Sequence, residues 1–122
     1  MQNPTLFTQA HHDTPPVFNA VDRRYHLQLD EAFIQGPLKD VRKNSNRVFL
    51  CLAYRYFCMS NQFFDFAIDD DIRFIAQQLG VANPPSWEDY QADTKKRHKL
   101  TILEYMGVKP FVDDDAQQLI LD

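Results

Sequence analysis

The stretch from Asn46 to Met59 limits what this chain can fold into more than any other part of it. Val48, Phe49, Leu50, Leu52, Ala53, Tyr54, Tyr56 and Phe57 follow one another too closely to share one face of a helix, so they surround its axis. A helix that is apolar on all sides is stable in water only when neighbours cover it, which places it at the centre of a bundle. With 122 residues, 44% of them hydrophobic and ten of them Phe, there is enough apolar surface for the core of one domain. Three glycines are too few for a turn-rich β protein. The expected fold is all-α: a compact domain of about six helices around the central one, with a helix-turn-helix-like C-terminal half.

The flanking segments supply the covering helices. Asn19 offers an N-cap, with Asp22 three residues later, for a short helix through Tyr25 and Leu27. Asp30 can cap a second helix carrying Ala32, Phe33 and Ile34, until Gly36-Pro37 interrupts it and Pro37 starts a turn with Leu38 and Val41. After Ser60-Asn61-Gln62 an aromatic link, Phe63, Phe64 and Phe66, is expected to cross the core. Asp69 caps the clearest amphipathic helix, in which Ile72, Ile75, Ala76 and Leu79 keep helical spacing before Gly80. Ser86-Trp87-Glu88-Asp89 reads as a short capped turn, with Trp87 in the core, and Asp93 or Thr94 begins the next helix. Along that helix Leu100, Ile102, Leu103, Tyr105 and Met106 form a wide apolar arc, leaving Arg97, Thr101 and Glu104 facing water. Residues 1–16 read as a flexible arm, 17–112 as the domain, and 113–122 as the start of a further helix or linker in a chain cut from something longer.

Charge is segregated, although the formal net charge is −4. Seven basic and three acidic residues lie between Arg23 and Arg55, while Asp69 to Asp71 and Asp113 to Asp115 form acidic runs. Arg23 and Arg24 are expected to balance Asp22 and Asp30. Lys95, Lys96, Arg97 and Lys99, with His98 among them, crowd the start of a helix, where the macrodipole disfavours positive charge by roughly 0.3–1 kcal/mol per residue. A bound anion reverses that sign, because backbone N–H groups and cations there act together on phosphate. The competing reading is a solvated helix start. A second patch, Arg42, Lys43, Asn46 and Arg47, opens the central helix. Asn and Arg pair with adenine and guanine edges in the major groove, but here they can equally cap the backbone or meet a carboxylate.

Other chemistries find little support. Cys51 and Cys58, seven residues apart on one helix, are separated by roughly 10 Å of rise, beyond disulfide reach, and read as buried thiols of a reducing cytosol. No apolar run approaches the roughly 20 residues that cross a bilayer, and no charged-then-apolar leader opens the chain. His11-His12-Asp13 makes a poorly organised metal site, and there is no phosphate-cradling glycine loop. No cofactor, metal or small-molecule substrate is expected, and no enzymatic activity.

Four groups of residues, in order, resemble the N-terminal region of the large replicative transposases of the Tn3 family. They are Asp22-Arg23-Arg24 with Leu29-Asp30; Arg42 with Asn46-Arg47; Asp71 with Phe74-Ile75-Ala76 and Leu79-Gly80; and Tyr90, Thr94, Lys96-Arg97-His98, Ile102-Leu103, Gly107 and Pro110-Phe111. Val48-Phe49-Leu50 departs from the Leu-Gly-Phe usual in that family after Asn-Arg. The resemblance implies a helical region that helps recognise terminal inverted repeats in double-stranded DNA, in the bacterial cytoplasm and nucleoid, with catalysis left to a later domain of the parent transposase. The rival expectation is a docking module for those other domains, using the acidic runs and the aromatic link.

Overall fold

The computed structural model describes residues 14–108. His11-His12-Asp13, the acidic run Asp113 to Asp115, Pro110-Phe111 and the segment expected over 113–122 lie outside them. So does the arm expected over 1–16 except for its last three residues, of which Pro15 is buried. Among the described residues there are five α-helices, α1 Ala20–His26, α2 Glu31–Gln35, α3 Asn44–Ser60, α4 Asp69–Leu79 and α5 Ala92–Tyr105, and no strand. Two 3-10 turns, Pro37–Asp40 and Trp87–Asp89, join them. The described residues form an all-α domain, as expected.

The apolar run takes the central place. α3 packs against α4, α5 and the first 3-10 turn, and Val48, Phe49, Leu50, Cys51, Leu52, Tyr54, Tyr56 and Phe57 are all buried. Asn61 ends it in the left-handed region at φ 56°, a conformation Asn tolerates better than most residues. Aromatic rings fill the interfaces: Phe33 stacks on Tyr54 with centroids 3.8 Å apart, and Phe49 on Tyr90 at 4.4 Å. Trp87 meets both Phe49 and Tyr90 edge-on, and its Nε1 donates to the Asp65 carbonyl at 3.1 Å, so it belongs to the core. Gly80 closes α4 at φ 72° as anticipated.

α1 is attached differently. None of its residues is buried, and polar bonds to α3 and α4 hold its flanks. Arg23 Nε donates to Asp71 Oδ1 at 2.7 Å and Arg55 Nε to the His26 carbonyl at 2.9 Å. The Gln78 amide accepts from the Leu29 N–H and donates to the Leu27 carbonyl, each at 2.9 Å. Asn19 caps α1 by accepting from the Asp22 N–H at 2.8 Å.

Several local expectations are corrected. Asp69 does not cap α4; Ile68 occupies that position and makes no side-chain bond. Within the acidic run Asp71 is completely buried, held by Arg23 and by the Tyr56 hydroxyl at 2.6 Å. Arg23 therefore answers a carboxylate 48 positions away and not Asp22 or Asp30. Asp30 does hold the N-cap position of α2, but its side chain makes no capping bond and instead accepts from the Tyr54 hydroxyl at 3.4 Å. Cys51 is buried but Cys58 is exposed: residues seven apart lie within about 20° of one another around the axis, so the difference lies in how far along α3 that face is covered. In the aromatic link Phe64 is buried, Phe63 half-buried and Phe66 exposed.

Candidate nucleic-acid interface

Thr94, His98 and Ile102, spaced four apart, are the buried residues of α5 and define its inward stripe. The residues opposite that stripe point outward. Lys96, Arg97 and Lys99 are exposed, and Lys95 is half-buried beside Tyr90. Among the described residues the ion pairs are Arg23 with Asp71 and Arg73 with Asp70. None of the four α5 cations therefore forms an ion pair with a described carboxylate. Arg97 donates to the Thr94 hydroxyl at 3.4 Å, and the ammonium groups of Lys95 and Lys99 lie over the rings of Tyr90 and Phe63.

The helix begins at Ala92, with Gln91 at the cap, and not at Asp93 or Thr94. Lys95 is then its fourth residue and Lys99 its eighth, so most of the cluster lies past the first turn, where the dipole effect fades. What marks these residues is unpaired, exposed charge and not a strained helix start. Leu100 also departs from expectation. It is 53% exposed, and Tyr105 and Met106 are near 40%, so the buried arc is narrower than the sequence suggests. One turn after Lys96, Leu100 shares its outward face.

His98 belongs inside. It is 7% exposed, its Nδ1 shares a 2.5 Å hydrogen bond with the Tyr90 hydroxyl, and burial with the neighbouring Arg97 charge pulls its pKa down to about 4. A neutral, covered ring with one nitrogen already bonded has no surface for a phosphate or a base edge, so His98 leaves the candidate set.

The second patch divides in the same way. Arg42 and Lys43 are exposed at the start of α3. Arg47 folds back, donating from one guanidinium nitrogen to the Leu38 carbonyl at 3.2 Å and the Val41 carbonyl at 3.0 Å. It clamps the 3-10 turn to α3 and is removed from base readout. Asn46 is half-buried inside the first turn and does not cap it; Lys43 holds the cap position without a side-chain bond. The link between α4 and α5 runs from Gly80 to Gln91 and contains the 3-10 turn Trp87–Asp89, longer than the three or four residues of a strict helix-turn-helix.

Among the described residues no group of His, Cys, Asp or Glu could hold a metal ion, and no helix is long and apolar enough to cross a membrane. Sequence reasoning missed a cleft beside α5, lined by Phe63, Phe64, Trp87 and Tyr90. Its walls come from separate segments, and no spacing within one segment announces it. Comparison with curated proteins and with solved structures gave no match. A family model described as a domain of unknown function, DUF4158, matches residues 8–121. That match takes in the bundle, both basic patches and nearly the whole sequence, and the chain accordingly belongs to the DUF4158 family.

Proposed function

We propose that this domain binds double-stranded DNA, recognising terminal inverted repeats as the N-terminal region of a transposase similar to those of the Tn3 family. It is a binding module, and catalysis falls to other domains of the parent protein. The observation that carries the reading is the α5 cluster: four cations on a chain of net charge −4, none of them in an ion pair among the described residues. Unpaired Lys and Arg on a rigid helix suit phosphate neutralisation, which supplies most of the affinity of DNA binders and makes it salt-dependent. Lys96, Arg97 and Lys99 contact phosphates, Arg42 and Lys43 extend the contact, and Asn46 is the side chain left for an adenine edge.

A mobility-shift titration with the cognate terminal repeat, run across salt concentrations, tests it. Lys96→Glu with Arg97→Glu weakens binding and lowers the salt slope by about two, while the melting temperature stays near wild type. An unchanged slope would sink the reading. One observation favours a second reading, docking onto another domain of the same protein. Leu100 sits at 53% exposure on the face of Lys96, and apolar side chains are commoner at protein contacts than in phosphate tracks. Leu100→Ser separates the two, since it breaks a docking contact and leaves DNA affinity within twofold.

A further inference from the structure

α1 is amphipathic the wrong way round. A surface helix ordinarily turns its apolar residues to the core and its charges to water. Here Arg23 points inward, to the buried Asp71 carboxylate, and no residue of the helix is buried. Val21 is 71% exposed and Tyr25 77%, and Val17, just before the helix, is 86% exposed. At about 100° per residue, Val21 and Tyr25 lie about 40° apart around the axis and share one stripe, whose midline falls about 180° from Arg23. The stripe therefore faces directly away from the bundle. Asp22 and Arg24 flank it, about 80° to either side. Both are exposed, and neither takes part in an ion pair among the described residues.

We propose that this face of α1 is a self-association surface, covered by α1 of a second copy of the chain lying parallel to it. The inference does not depend on the DNA-binding reading. Its basis is charge complementarity. An apolar stripe with an acid on one flank and a base on the other, at equal angles, matches itself. About a two-fold axis running along the helices, the Asp22 flank of each copy meets the Arg24 flank of the other, whereas antiparallel helices would set like charges together. The two residues differ by about 3 Å in rise, a distance the long Arg24 side chain spans. Because the stripe points away from the bundle, the two domains lie on opposite sides of the helix pair and do not collide. A phosphate-bearing surface would meet the Asp22 carboxylate beside the stripe, which disfavours it. Two turns of helix cover less than the roughly 800 Å² per partner of a stable complex, so the pair forms at micromolar to millimolar concentration.

The test is sedimentation equilibrium of the full chain across that concentration range, with no nucleic acid present. The wild type passes from monomer to dimer. Val21→Asp abolishes the dimer, and because Val21 is exposed the melting temperature of the variant stays near that of the wild-type monomer. Asp22→Arg and Arg24→Asp each weaken association about tenfold, since either one sets like charges at both symmetric contacts. The two combined restore it to within about threefold. That swap separates the interface from an effect on the helix itself, because both of its charges oppose the macrodipole and a purely structural effect would be largest there. Orientation is read by mild oxidation of Val21→Cys in a Cys58→Ser background. In a parallel pair position 21 faces its own counterpart and a disulfide-linked dimer forms, whereas an antiparallel pair sets it opposite Tyr25. A monomer at every concentration overturns the proposal and leaves the stripe to another domain or segment. A dimer that survives Val21→Asp, a charge swap that fails to restore association, or a dimer that does not crosslink through position 21 overturns it as well.

Discussion

Arg23→Met breaks the ion pair that joins α1 to α4, and its cost follows from burial. Asp71 has no exposed surface, and the Arg23 side chain keeps 17%. Removing one partner of a buried pair costs about 3–5 kcal/mol, because the remaining charge is left without its counterion. The Tyr56 hydroxyl still donates to the other Asp71 oxygen at 2.6 Å, and solvent reaches the site through the Arg23 edge, so the low end of that range, about 3 kcal/mol, is expected. In a domain of this size each kcal/mol moves the midpoint by about 4–8 °C, which gives a fall of roughly 12–24 °C. The internal control is Arg73→Met. Arg73 pairs with Asp70 three residues away on the exposed face of α4, where both side chains keep more than half their surface. That pair contributes about 0.3–0.5 kcal/mol, a shift of a few degrees. Thermal and urea melts followed by circular dichroism measure both variants. Adding Asp71→Asn to Arg23→Met removes the stranded charge and recovers part of the loss, so the two changes are strongly non-additive. Equal small shifts for Arg23→Met and Arg73→Met would refute the argument from burial, as would simple additivity in the double variant.

Further outcomes follow from other sites. His98 is neutral in the fold with a pKa near 4 against 6.5 for the unconstrained side chain, so its contribution is complete above about pH 6.5 and is lost as pH falls towards 4. Up to about 3 kcal/mol is at stake, and His98→Gln flattens the stability-against-pH curve across that window, as denaturant titrations at several pH values will reveal. Of the two thiols, Cys58 reacts readily with an aromatic disulfide reagent, while Cys51, whose pKa burial pushes up to about 12, reacts only after unfolding; rapid labelling of both in the native state contradicts the packing of α3. Gly80→Ala costs about 1 kcal/mol in urea melts and Gly80→Asn less, since the residue holds φ 72° with open space around it.

Much of the architecture is legible along the chain. The all-round apolar pattern of Asn46 to Met59 made α3 central, and the spacing of Ile72, Ile75, Ala76 and Leu79, stopped by Gly80, marked α4. Asn19, Gly36-Pro37 and Ser86 placed the ends of shorter elements within a residue or two. These are local properties: helix period, capping chemistry and forbidden backbone conformations act between residues close in sequence.

Like residues were sorted only by tertiary packing. Asp69, Asp70 and Asp71 are one run of letters, yet Asp71 alone is sealed in the core, because Arg23 and Tyr56 reach it from other helices. Of the patch at α3, Arg42 faces solvent while Arg47 grips two carbonyls of a turn that approaches from earlier in the chain. Within Lys95 to Lys99 the packing of Tyr90 draws His98 inward and leaves the cations outside, and Leu100 stays exposed where Ile102 is covered. A helical period says which residues share a face; which face meets a neighbour depends on where distant segments cross. For that reason the sequence by itself determined a helical bundle with concentrated positive charge, and the tertiary structure decided which of those charges are available to a partner.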